Sequence, residues 1–108
     1  MDTRFARLNI QLSQAPADID AFNKIHRCIV DAALYSYGCE DEFEVAYHEA
    51  NQMFSVTVTY ECESELDIIT AGWLLGGTQA CFEQSGVASA SFWLSTHDAQ
   101  DKTIESVL

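Results

Sequence analysis

The sequence predicts an α+β domain in the order βαββαβ, a four-stranded antiparallel sheet with two helices on one face. Three observations lead there. Four segments alternate apolar and polar residues with the period of two that a half-buried strand requires. Two longer segments repeat apolar residues at the 3.6-residue period of a helix. Turn and cap residues separate the six, and no linker or low-complexity stretch interrupts the 108 residues, a length that suits one domain.

The first strand runs from Arg4 to Ser13, with Ala6, Leu8, Ile10 and Leu12 on one face and Arg7, Asn9 and Gln11 on the other. Pro16 suits the first turn of a helix, and Asp18 and Asp20 favour its positive end. Ile19, Phe22, Ile25, Ile29 and Ala32 or Ala33 then recur at helical spacing until Gly38, so the first helix spans Pro16 to Tyr37. A second alternation sets Phe43, Val45 and Tyr47 inward against Glu42, Glu44 and His48. After a polar turn at Glu49 to Gln52, Phe54, Val56, Val58 and Tyr60 point inward and Ser55, Thr57, Thr59 and Glu61 outward. Two such strands across a short turn form a hairpin. If His48 faces Met53, then Tyr47 meets Phe54, Val45 meets Val56 and Phe43 meets Val58, all inward pairs.

Ser64-Glu65-Leu66-Asp67 has the spacing of a capping box and opens the second helix, which Gly86 ends. Leu66, Ile69, Trp73, Gly76, Gly77 and Ala80 form the stripe expected to face the core, broadened by Ile68, Leu75 and Phe82. Gly72 and Gly76 lie one turn apart and disfavour a helix by roughly 1 kcal/mol each, so a close structural contact is expected there. The last strand runs from Val87 to Thr96, with Ala88, Ala90, Phe92 and Leu94 inward and Ser89, Ser91, Trp93 and Ser95 outward. Residues 98–108 read as an acidic C-terminal tail, either a short amphipathic helix or a frayed end, after a domain of residues 1–97. The order βαββαβ is the split βαβ of the ferredoxin-like arrangement, whose right-handed crossovers give the spatial strand order 4-1-3-2.

Charge is the main functional signal. Between Arg27 and Lys102 there is no lysine or arginine, yet thirteen aspartates and glutamates, and the whole chain carries a net charge of −12. Such a segment cannot neutralise its own acids by salt bridges, so its field points outward. Nucleic acid and anionic membranes are repelled, which excludes direct binding to either. Basic surfaces are attracted. With 48% hydrophobic residues the chain can build a core, so the acidity is not that of a disordered tail. No apolar run is long enough to span a membrane and no signal-peptide core is present, so a cytoplasmic protein is expected.

The hairpin register turns charge into position. Glu44 faces Thr57, Glu42 faces Thr59 and Glu40 faces Glu61, and with Glu63, Glu65 and Asp67 they make nine acids between residues 40 and 67, counting Asp41 and Glu49. Charges on an outer strand also serve as edge protection, but lysine is a favoured edge blocker and is absent here. The same register sets Cys39 opposite Cys62, either as two reduced thiols or as a bridge. Without a CxxC pair, all four cysteines are expected reduced.

No catalytic motif emerges. Acid–base work needs a desolvated carboxyl in a pocket, the histidines and cysteines lack metal-ligand spacing, and no nucleophile elbow or calcium loop occurs. Neither metal nor cofactor is expected. The outward sheet face, polar with one Trp93, lacks the aromatics and bases of an RNA-recognition sheet. Trp93 itself is either half covered by the tail or an interface anchor.

The leading expectation is therefore a non-enzymatic inhibitor or adaptor whose acidic surface occupies the nucleic-acid site of a basic partner. Its contact residues would be Glu40, Asp41, Glu42, Glu44, Glu61, Glu63, Glu65, Asp67 and Trp93. In size, acidity and lack of catalytic motifs the chain resembles the small proteins that bacteriophages use against host defence, the anti-CRISPR and anti-restriction DNA mimics. That resemblance, one of size, charge and topology, implies a site of action in the host cytoplasm. The rival expectation is a small-molecule-binding or enzymatic ferredoxin-like dimer of the α+β barrel type, and a third is an acidic component of a larger assembly.

Overall fold

The computed structural model describes residues 3–38, 43–61, 65–86, 88–97 and 103–107, with side chains except at 3–4, 37, 60–61, 65–71 and 103–107. It is an α+β structure of one antiparallel sheet and two helices, compatible with a ferredoxin-like arrangement. The elements are β1 (Thr3–Leu12), α1 (Ile19–Tyr37), β2 (Glu44–His48), β3 (Met53–Glu61), α2 (Glu65–Ser85), β4 (Ala90–His97) and β5 (Thr103–Val107). The sheet order is β2-β3-β1-β4-β5.

The core lies between one sheet face and both helices. Leu8, Ile10 and Leu12 of β1 and Phe54 and Val56 of β3 meet Ile25, Cys28, Ile29 and Ala33 of α1 and Leu74 and Phe82 of α2, all buried. These are the inward positions that alternation assigns in β1 and β3. The β2–β3 register sets Glu44 opposite Thr57, Val45 opposite Val56, Tyr47 opposite Phe54 and His48 opposite Met53, as the inward pairs predict. The 3-10 turn Glu49–Asn51 and Gln52 in the left-handed region (φ 54) close this hairpin.

Several expectations change. The first helix starts at Ile19 rather than Pro16, because the carboxylate of Asp18 accepts the Ala21 N–H at 2.8 Å and caps it. Ile19, expected on the core stripe, is thereby left 69% exposed. At the other end Gly38 takes φ 79 and donates its N–H to the Leu34 carbonyl, the left-handed stop that glycine permits.

The tail is neither helix nor frayed end where it is described. Residues 103–107 pair antiparallel with β4, with Leu94 opposite Val107 and Ser95 opposite Ser106, across a bulge at Thr96 and His97. The outer edge of β4 offers unsatisfied backbone groups, and Thr103, Ile104 and Val107 are β-branched residues that suit a strand. The sheet consequently has five strands instead of four.

The largest change concerns α2. Among its described side chains the buried ones are Leu74, Thr78 and Phe82, one turn apart along a single line. The stripe expected to face the core, Trp73, Gly76, Gly77 and Ala80, is exposed instead. Thr78 can be fully buried because its hydroxyl donates to the Leu74 carbonyl at 2.8 Å, which satisfies the only polar group it brings. A Cβ placed on Gly72 or Gly76 would meet nothing within 4 Å, so these glycines make no close contact within the described residues.

Cysteine chemistry also differs from expectation. Cys28 of α1 and Cys81 of α2 form a disulfide with Cα atoms 6.1 Å apart, where all four thiols were expected reduced. The helices run antiparallel, so residues far apart in sequence fall on facing turns. The Cys39–Cys62 pairing lies outside the described residues.

Candidate functional site

Three surfaces carry functional groups. The first is the hairpin edge. β2 is the outermost strand on one side of the sheet, and Glu44 and Glu49 are exposed there. Glu44 faces away from the helices, opposite Thr57. Glu61 ends β3 opposite Thr3 of β1, and Glu65 and Asp67 lie in the first turn of α2. Glu40, Asp41, Glu42 and Glu63 lie outside the described residues, as does the Glu40–Glu61 pair. Of the expected acidic surface, the structure thus places Glu44 as an exposed side chain and fixes the backbone positions of Glu61, Glu65 and Asp67.

The second surface is the sheet face away from the helices. It holds a polar chain that alternation alone did not single out. The side-chain amide of Asn9 donates to the Ser95 hydroxyl at 3.1 Å and reaches the carbonyls of Arg7 and Trp93 at 3.2 and 3.4 Å. The Ser95 hydroxyl in turn lies 2.7 Å from Nε2 of His97. Nearby, Arg7 Nε donates to the Thr57 hydroxyl at 3.0 Å, and His48 Nε2 is 3.3 Å from the Ser55 hydroxyl. Residues two apart on a strand share a face, which is why Ser95 and His97 meet. A hydroxyl–imidazole pair at this distance can exchange a proton. Ser95 and His97 are, however, 5% and 6% exposed, so a substrate atom would have to displace their covering neighbours to reach either.

This chain ties β1 to β4 by side chains as well as backbone. Replacing Asn9 by Ala is expected to lower the unfolding free energy by about 1–3 kcal/mol, because Ser95 and the buried carbonyls lose their donor. Urea denaturation of the variant measures it, and an unchanged midpoint would show that the amide adds nothing. Trp93 of β4 sits beside this chain, opposite Asn9, and is half-buried.

The third surface is the outer side of the helix pair. A groove of about 520 Å³ there is lined by Asp31, Ala32, Tyr35, Ser36, Trp73, Gly77 and Cys81. Tyr35 is 94% and Trp73 68% exposed. Sequence reasoning missed both: it put Trp73 in the core and gave Tyr35 no role. The available signal was the spread of apolar residues around the whole of α2, since a helix apolar on all sides normally has both sides covered.

Among the described residues, no three His, Cys, Asp or Glu side chains come together to hold a metal ion. No described helix is long and apolar enough to cross a membrane. No family model, curated protein or solved structure matches this chain.

Proposed function

We propose that the chain is a ferredoxin-like domain, extended by a fifth strand, that acts as a non-enzymatic inhibitor by occupying the nucleic-acid site of a basic partner protein. The observation that carries this reading is the cation-free stretch of 74 residues between Arg27 and Lys102, with its thirteen acids. A surface of that composition steers basic proteins toward itself and repels phosphates. Exposed Glu44 on the outermost strand supports a contact at the hairpin edge, where Glu40, Asp41, Glu42, Glu61, Glu63, Glu65 and Asp67 would join it. Trp93 is the apolar member of the proposed set. Carboxylates in a row can imitate the spacing of phosphates, and on this reading the protein acts as the DNA-mimic and anti-CRISPR inhibitors of bacteriophages do.

Such an inhibitor works in the host cytoplasm, where structural disulfides are rare. Cys28 is buried but Cys81 lines the outer groove, so a reducing thiolate reaches the bridge from the groove side, at the Cys81 sulfur. Mass measurement tests whether the bridge forms there, since it leaves two fewer alkylatable thiols in protein lysed from cytoplasm into alkylating agent.

The test of the function is capture of partners from host lysate at about 0.05 M and about 0.5 M salt. A basic, nucleic-acid-binding protein should be retained at low salt and released at high salt. Reversing charge with Glu42→Lys and Glu44→Lys should slow its association by about tenfold while leaving stability within about 0.5 kcal/mol. Retention that ignores both salt and charge reversal would refute the reading.

A further inference from the structure

The outer groove between the helices has walls of one chemistry. Cys28 is bonded to Cys81, and one turn further along α1 Ala32 faces Gly77, 4.0 Å from where its Cβ would be. The helices therefore run antiparallel, and the next turn brings Ser36 and Trp73 to the same groove. On α2, Trp73, Gly76, Gly77 and Ala80 are all exposed, at the i, i+3, i+4, i+7 spacing of one face. Gly72 and Gly76 weaken this helix by roughly 1 kcal/mol each, and among the described residues nothing lies within 4 Å of a Cβ placed on either. A helix gains from such glycines only when another backbone comes close.

The electrostatics say what can come close. The groove's one charged lining residue is Asp31; α2 carries Glu65, Asp67 and Glu83 with no lysine or arginine, and the cations of α1, Lys24 and Arg27, stand before Cys28. The last turn of α1 has no basic residue either, so its carbonyl end contributes further negative potential. That end lies beside Trp73 of α2, across the groove from Ser36. A second copy of this chain would bring another charge of −12 against these walls.

We infer that the α1–α2 groove binds an amphipathic basic helix of the partner, whose apolar face packs on Trp73 and Tyr35 and whose lysines and arginines meet Asp31 and the carbonyl end of α1. This rests on the reading of the chain as a binder of basic proteins, and adds a second apolar contact, on the face opposite the one proposed for Trp93. Trp73 is the anchor: a rigid, largely exposed indole that loses its water on docking. Gly76 and Gly77 set the depth at which the incoming helix sits.

The test uses the intact ¹⁵N-labelled chain and a tryptophan-free helical peptide of about eighteen residues, leucine on one face and lysine on the other. A second peptide carries glutamate in place of lysine. The two tryptophans give two indole N–H resonances, on opposite faces of the molecule. The lysine peptide should shift the Trp73 signal saturably, leave that of Trp93 in place, and do so where the glutamate peptide has no effect. Gly76→Gln with Gly77→Gln should weaken binding by about tenfold or more while raising the melting temperature, because glutamine is the better helix former. That opposite movement separates a filled groove from a damaged fold.

Equal binding of the glutamate peptide, or undiminished binding by the glutamine variant, would overturn the inference. So would a Trp73 signal that moves with protein concentration alone while the mass doubles, since a second copy would then cover the face. If the lysine peptide shifts Trp93 and not Trp73, the groove assignment falls while the basic-partner reading stands. If no basic peptide binds and no basic protein is captured from lysate, both fall together.

Discussion

Replacing Cys28 and Cys81 by alanine together is expected to lower the unfolding free energy by about 4 kcal/mol. The bridge closes a loop of 53 residues, and the loss of chain entropy in the unfolded state for a loop of that length gives about this value. A domain of this size has only about 5–15 kcal/mol in total, so the variant would sit near the edge of folding. The paired substitution is cleaner than adding a reductant, which would act on all four cysteines. Urea denaturation of both proteins measures the difference. Protection of Cys28 and Cys81 from alkylation without reductant is the companion observation. Native protein in which both are freely alkylated, or a variant with an unchanged midpoint, would refute the bridge as a stabilising element. The groove should respond too, since the bridge fixes one end of the helix pair that forms it.

Phe54→Ala should cost about 3–5 kcal/mol, the usual range for deleting a fully buried aromatic ring. Phe54 is 0% exposed and is the hub of a ring cluster. Its centroid lies 4.6 Å from that of Tyr47, 5.4 Å from Phe22 and 6.3 Å from His26. Those rings come from β2, from α1 and from β3 itself, so one truncation opens a cavity shared by three elements. Partial collapse of Tyr47 into the space sets the lower end of the range. A loss under about 1.5 kcal/mol would mean that the cluster repacks freely, contrary to the close packing of protein interiors. The variant retains every acid, so its salt-dependent binding should survive at temperatures where it remains folded.

Local pattern carried the sheet well. Ala6, Leu8, Ile10 and Leu12 alternate without a break and are all buried, and the inward pairs Val45–Val56 and Tyr47–Phe54 set the β2–β3 register from local pattern alone. Glycines at the helix ends were legible for the same reason: only a residue without Cβ takes Gly38 to φ 79 and Gly86 to φ 61 without strain.

The face of α2 was not legible. Two stripes compete on it, one through Trp73, Gly76, Gly77 and Ala80, the other through Leu74, Thr78 and Phe82. A threonine in the second makes the first look more apolar. What decides is tertiary: the Thr78 hydroxyl satisfies itself on its own helix, and the larger Leu74 and Phe82 fill the space above the sheet. The disulfide and β5 escaped for a related reason. Each depends on a neighbour that the sequence does not place: the facing turn of the other helix, or the outer edge of β4. Of the acidic surface, the sequence supplied identity and strand position, and Glu44 is exposed on the expected face. The polar chain from Asn9 through Ser95 to His97 needed the β1–β4 register, a long-range pairing that no local window contains.

The placement of β1 has a consequence for the order of events during synthesis. It is made before the other strands of the sheet yet ends in the middle of it, flanked by β3 and by β4, with Phe5 opposite both Thr59 and His97. Neither partner exists until most of the chain has been made. The nascent strand must therefore wait with both edges open, and closure of the sheet is a late, long-range step that makes folding slow relative to helical proteins of the same size. Two arginines, Arg4 and Arg7, sit on that waiting strand, and their charge helps keep it from pairing with another copy before its own β3 and β4 arrive.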